Sequence, residues 1–226
     1  TEWTSDRLEE NKTINRIRER VGLWRKGGYK GITPITARLL EYWQRPGRER
    51  RLFFAQVEAL ETAIYLAEVA GKAGDAWIEN YIRDENARAN PLLYRIAFKM
   101  ATGSGKTLVM AMLIAWQALN KLANTQDARF SDTFLIVAPG ITIRDRLRVL
   151  LPSDPESYYV KQDIVPSDLL GQIGKAKVVI ANYHAFKRRE RGDASRMTKQ
   201  LLGAAHTGAF VESDGEMVRR VCRELG

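Results

Sequence analysis

The segment Ala101-Thr102-Gly103-Ser104-Gly105-Lys106-Thr107 constrains this chain more than any other stretch. Glycines at these spacings let the backbone bend so that successive N–H groups converge on an anion. A helix beginning near Thr107 would add its positive end to the same point. Lys106 then reaches the β- and γ-phosphates of a nucleoside triphosphate, and the Thr107 hydroxyl coordinates Mg²⁺. The flanks supply the context the motif needs: Tyr94 to Met100 reads as a strand entering the loop, and Thr107 to Leu122 as a strongly apolar helix leaving it. A glycine-rich turn with a chance Lys-Thr is the alternative, and these flanks weigh against it. The strict pattern G-x-x-x-x-G-K-[ST] would put glycine at position 100, where this chain has Met100. The segment is read as a site for ATP and Mg²⁺. Lys106 and Thr107 carry the chemistry, Thr107 holds the metal, and Thr102, Gly103, Ser104, Gly105 and Leu108 complete the cradle.

Upstream, the pattern is helical. Thr4 and Ser5 can cap a segment in which Leu8, Ile14, Ile17, Val21 and Trp24 recur at near-helical spacing until Gly27-Gly28. Thr33-Pro34 opens a second helix through Leu39, Leu40 and Trp43, with proline at a tolerated first position. A third runs from Phe53 to about Ala70 on Val57, Leu60, Ala63, Ile64 and Ala67. Downstream, Phe134 to Ala138 and Lys177 to Asn182 are apolar runs of the kind buried on both faces of a parallel sheet. Ile141 to Leu151 reads as a helix between them. Strand, helix, strand, helix, strand points to an α/β fold with a mostly parallel sheet. Ala209 to Glu216 reads as a loop, and Met217 to Leu225 as a helix.

The chain carries 36 Lys and Arg against 27 Asp and Glu, a formal charge of +9, which suits an anionic partner such as nucleic acid. A basic surface without a partner fits the charge equally well. Cys222 is the single cysteine, so no internal disulfide forms, as in a reducing compartment. No apolar run approaches the roughly 20 residues needed to span a bilayer, and no signal peptide is apparent; a cytoplasmic location is expected. Thr1 is not an initiator methionine, as expected of an excised or processed piece. His184 has no cysteine or carboxylate at ligand spacing, so it is expected to be packed or backbone-bonded rather than a metal ligand.

Met100 to Thr107 resembles motif I of superfamily 2 helicases and translocases, which often lack the first glycine. Arg51-Leu52-Phe53-Phe54-Ala55-Gln56-Val57-Glu58-Ala59 resembles the Q motif of that superfamily. The glutamine amide offers one donor side and one acceptor side to the N6 and N7 edge of adenine, so the resemblance makes Gln56 the adenine reader, with Phe53 or Phe54 able to stack on the base. A polar residue on an amphipathic helix beside two core phenylalanines is the alternative. Ile136 to Thr142 resembles motif Ia, and Val179 to His184 the region of motif Ib. In the family these loops touch the nucleic-acid backbone. The resemblance thus implies contacts by Pro139, Gly140, Arg144, Asn182, Tyr183, Lys187 and Arg188, cations binding phosphates without reading sequence.

The closest resemblance is to the restriction (Res) subunit of type III restriction-modification systems, or to a DEAD/DEAH-box relative of it. It implies a RecA-like domain over residues 51–226 preceded by a helical extension over 1–50. It also implies ATP-driven movement on duplex DNA by a larger parent, and a methyltransferase or specificity subunit as partner. Hydrolysis of this type needs a carboxylate on a second strand to hold Mg²⁺, and no run like Asp-Glu-Ala-His is present. The chain is therefore expected to be the front part of a longer motor, inactive alone. Two rivals remain: a complete small P-loop kinase, and a nucleic-acid-binding module without ATPase activity.

Overall fold

The computed structural model describes residues 5–187 and 212–225. The chain divides into two compact units, Thr1–Asp132 with Tyr158–Ile173, and Thr133–Ser157 with Gly174–Gly226.

The first unit is helical. Helix α1 (Ser5–Lys26) ends where Gly28 turns left-handed, at φ 78°. Helix α2 (Pro34–Gln44) starts at the N-cap Thr33, whose hydroxyl accepts from the Thr36 amide. Helix α3 (Phe54–Ile64) continues into a π-helical turn, Tyr65–Val69, closed by the Ala70 amide donating to the Tyr65 carbonyl at 2.8 Å. Helices α4 (Ala76–Ala89) and α5 (Lys106–Ala123) follow. Ala111, Met112, Ala115, Ala118 and Leu119 on α5 are fully buried. Three alanines among them let α2 and α3 pack closely against α5, where Leu39, Trp43, Leu60 and Ile64 fill the core.

This core also holds charge. The π turn widens the helix by one residue and places Glu68 in the interior at 2% exposure. Its carboxylate accepts from the Thr33 amide (2.7 Å), the Thr36 hydroxyl (2.6 Å) and the Trp116 indole (2.8 Å), which joins α2, the π turn and α5. Glu61, also buried, accepts from Arg25 and, at 2.6 Å, from the Tyr29 phenol. Burial, and then that bond to Glu61, push the Tyr29 phenol up to about 12.

The second unit is built on strands β1 (Thr133–Ala138) and β2 (Lys177–Asn182), parallel and in register from Thr133 opposite Lys177 to Ala138 opposite Asn182. Helix α6 (Ile141–Arg146) leads into a 3₁₀ turn, Leu147–Leu150, and packs on both strands. Asn182 caps a 3₁₀ turn at Tyr183–Phe186. Two short helices, α7 (Tyr158–Lys161) and α8 (Leu170–Ile173), belong to the first unit and pack on α5. Helix α9 (Asp214–Val221) closes the second unit. No helix among the described residues is long and apolar enough to cross a membrane.

Several expectations are corrected. Tyr94–Met100 forms no strand: a strand exists through its ladder partners, and what this segment has instead is a pair of contacts between Arg95 and Asn86. The described sheet accordingly has two strands rather than three. β1 is not buried on both faces: Ile136 and Ala138 are buried, but Leu135 and Val137 are 40% and 48% exposed. Asp214 and Glu216 lie not in a loop but in the first turn of α9, where Ser213 and Glu216 form a capping box; residues 209–211 lie outside the described residues. The Ile141–Leu151 helix is shorter, α for six residues and 3₁₀ after that.

Replacing Glu68 with Leu removes the acceptor shared by the Thr33 amide, the Thr36 hydroxyl and the Trp116 indole, of which the indole keeps its bond to the Thr36 hydroxyl. Urea denaturation should register a loss of about 2–4 kcal/mol, and Glu68→Gln, which keeps one acceptor oxygen, should lose less.

Candidate functional site

The phosphate-loop sequence folds as a compact turn ahead of α5. Gly103 and Gly105 both sit at φ 78°, a conformation that residues with a Cβ adopt at a cost. The Ala101 carbonyl is the hub: it accepts from the Ser104 hydroxyl at 2.7 Å and from the Lys106 ammonium at 2.8 Å. Lys106 therefore lies across the loop it terminates, exposed to solvent. Gly105 is the N-cap of the 18-residue α5, and its carbonyl accepts from the Leu108 and Val109 amides. The first N–H groups of that helix face the loop end, where the aligned peptide dipoles are positive. Nothing approaches within 4 Å of where a Cβ on Gly103 would stand.

Gln56 joins this loop from α3. Its amide oxygen accepts from the Phe53 backbone at 2.9 Å, capping α3, and its amide nitrogen donates to the Ser104 carbonyl at 3.0 Å. A Cβ on Gly105 would lie 2.2 Å from that nitrogen, so only glycine fits beneath it. Gln56 is 3% exposed, whereas Phe53 and Phe54 are 59% and 62% exposed and are not core residues. The Arg25 guanidinium lies 5.8 Å from the centre of the Phe54 ring. Gln56 thus meets the loop at Ser104 and Gly105, while Phe54 lies against Arg25.

Two further residues of α3 and α5 had not been singled out. The Gln56–Ser104 and Glu68–Trp116 bonds both span 48 residues. Equal offsets at two points mean that α3 and α5 run parallel in fixed register, bonded at both ends. The sequence carries one sign of this: Glu61 and Glu68 flank the buried Ile64 at helical spacing, on the face that reads as apolar.

The second group of expected residues gathers at the carboxyl edge of β1 and β2. Pro139 and Gly140 follow β1, Asn182 and Tyr183 end β2, and Arg144 and Lys187 are exposed nearby on the same unit. Arg144 pairs with Asp145 at 2.9 Å. Arg188 lies outside the described residues. His184 is exposed rather than packed; its backbone amide donates to Asn182 at 2.8 Å, and its ring meets Tyr183 edge-on. Among the described residues, no group of three or more His, Cys, Asp or Glu could hold a metal.

The family model described as "Type III restriction enzyme, res subunit" matches residues 40–210. The chain belongs to this family, and it carries a superfamily 2 helicase-like ATP-binding module, for which a RecA-like α/β fold follows. No curated protein and no solved structure gives a match.

The Gly105–Gln56 contact makes a double-mutant cycle informative. Gly105→Ala alone should be strongly destabilising, by clash and by φ together. In a Gln56→Ala background the same change should cost about 1–2 kcal/mol, the left-handed backbone penalty alone, as read by thermal unfolding of the four proteins.

Proposed function

We propose that this chain, as a res-subunit family member, binds MgATP at residues 102–108 and couples that binding to a nucleic-acid surface at the carboxyl edge of β1 and β2. One observation carries the nucleotide half: two left-handed glycines frame a loop that ends in Lys106 at the positive end of an 18-residue helix. Lys106 exchanges its bond to the Ala101 carbonyl for the β- and γ-phosphates. The Thr107 hydroxyl serves as the protein's ligand to Mg²⁺, which when bound neutralises charge on the phosphates. The open space at Gly103 admits the phosphate chain. Gln56 fixes the loop and gives its remaining donor and acceptor capacity to the adenine edge, with Phe54 packing on the base.

For the nucleic-acid half, Pro139, Gly140, Arg144, Asn182, Tyr183 and Lys187 contact the backbone, with Arg188 adjoining them in sequence. DNA is the substrate class, and a methyltransferase or specificity subunit is the partner. ATP-driven movement along duplex DNA is the activity of the full assembly. Residues 51–226 make up the RecA-like domain, and residues 1–50 brace it through Thr33 and Thr36.

Lys106→Ala removes the cation that ends the loop. Titration calorimetry with MgATP should show affinity falling about 10- to 100-fold, as expected for a lost charge-assisted hydrogen bond, with an unchanged unfolding midpoint. Undiminished affinity would sink the phosphate-loop assignment.

A further inference from the structure

We infer that Tyr183 is a base-stacking platform, so that the carboxyl edge of the sheet takes a strand carrying an unpaired base. The inference rests on the reading of that edge as a nucleic-acid surface.

Strands β1 and β2 end in register at Ala138 and Asn182, so Gly140-Ile141 and Tyr183 emerge side by side. Tyr183 is 62% exposed, and Ile141 and Ile143 are 64% and 45% exposed. Three large apolar side chains at the end of one small sheet are more than phosphate binding asks for. Phosphates call for cations and N–H groups, whereas an exposed ring beside aliphatic groups offers a flat apolar face.

The backbone beneath the ring is fixed. The Asn182 side chain caps the turn through the His184 amide at 2.8 Å. Arg220, held bidentate by Glu212 at 2.8 Å, donates to the Ala185 and Lys187 carbonyls at 3.0 and 3.2 Å. The Tyr183 ring stands at 66° to His184, with centroids 6.0 Å apart. A cavity of about 570 Å³, lined by Arg144, Arg148, Arg220 and Arg223 with Asp145, runs along β2 as far as Asn182. Three of the groove's arginines are paired, Arg144 with Asp145, Arg148 with Asp154 and Arg220 with Glu212, so phosphates along it would share these cations with the acids, with the ring at the groove's end. Within an intact duplex each base face is covered by its neighbours, so the ring has nothing to stack on; an unpaired base presents a free face whatever its identity.

Fluorescence anisotropy on the whole chain tests this with three labelled DNAs of about 16 nucleotides. These are a single strand, the same strand with abasic sites throughout its central part, and the duplex. Tyr183→Ala should weaken single-strand binding about 5- to 100-fold, leaving the salt dependence and the affinity for abasic and duplex DNA unchanged. Tyr183→Phe should bind as the parent does. Equal losses on single-stranded and abasic DNA would overturn the stacking role, and so would no loss at all. Binding that falls with Lys187→Ala but ignores Tyr183→Ala would overturn stacking alone and leave the nucleic-acid surface standing. Failure to bind any of the three DNAs would overturn both.

Discussion

The register between α3 and α5 is the constraint on which the rest of the first unit depends. Gln56 grips the Ser104 carbonyl at one end and Glu68 grips the Trp116 indole at the other. Twelve residues separate the two grips on each helix, a span of about 18 Å. One hydrogen bond contributes only about 1 kcal/mol net, yet two at fixed separation remove both sliding and pivoting between parallel helices. The loop at the start of α5 is thereby held against α3 and not left to the flexibility of its own glycines. Nor does the coupling end with α3. The Asn120 amide and the Trp116 indole both donate to the Thr36 hydroxyl, at 3.0 and 3.1 Å, so α2 is tied to the same helix as the loop.

A buried carboxylate is an expensive way to join helices, because its charge must leave water. Glu68 offsets this with three short bonds, from the amide of the N-cap residue Thr33, the Thr36 hydroxyl and the Trp116 indole, which also reaches the Thr36 hydroxyl. Each group satisfies another's need, and removal of any one leaves the others with fewer partners. An apolar residue of similar size would pack, but it would not specify how α2, the π turn and α5 are rotated relative to one another. The π turn is what makes the arrangement possible. An extra residue in the turn brings Tyr65, Glu68 and Val69 to the interior together.

These facts explain how far the sequence could be read. The phosphate loop was legible because its requirements are local: glycine at two left-handed positions, then lysine and threonine at a helix start. β1, β2, α2 and α5 were legible from apolar runs and from the Thr33-Pro34 start signal. Tyr94–Met100 has the composition of a strand, but composition cannot supply the ladder that makes one. α4 buries only Ile78, so its apolar pattern was too thin to see. Glu68 showed only in its spacing from Glu61 and Ile64, for another reason. An acid reads as surface unless its partners are known, and these lie 32, 35 and 48 residues away.

The same reasoning changes what the net charge of +9 means. Several arginines serve acids within the fold or its backbone: Arg20 bonds the buried Asp75, Arg25 bonds Glu58 and the buried Glu61, and the buried Arg48 lies near Asp163 and donates to the carbonyls of Gln162 and Asp163. Charges spent this way contribute little field outside the molecule, because each is neutralised within a few ångströms. An anionic partner would be drawn to cations left facing solvent, and in the second unit Lys187, with Arg144 still exposed beside its partner Asp145, stands at one sheet edge near an exposed aromatic ring. Location, and not the total, therefore makes the case for nucleic acid: the sum of charges would be nearly the same had every arginine been used as a brace.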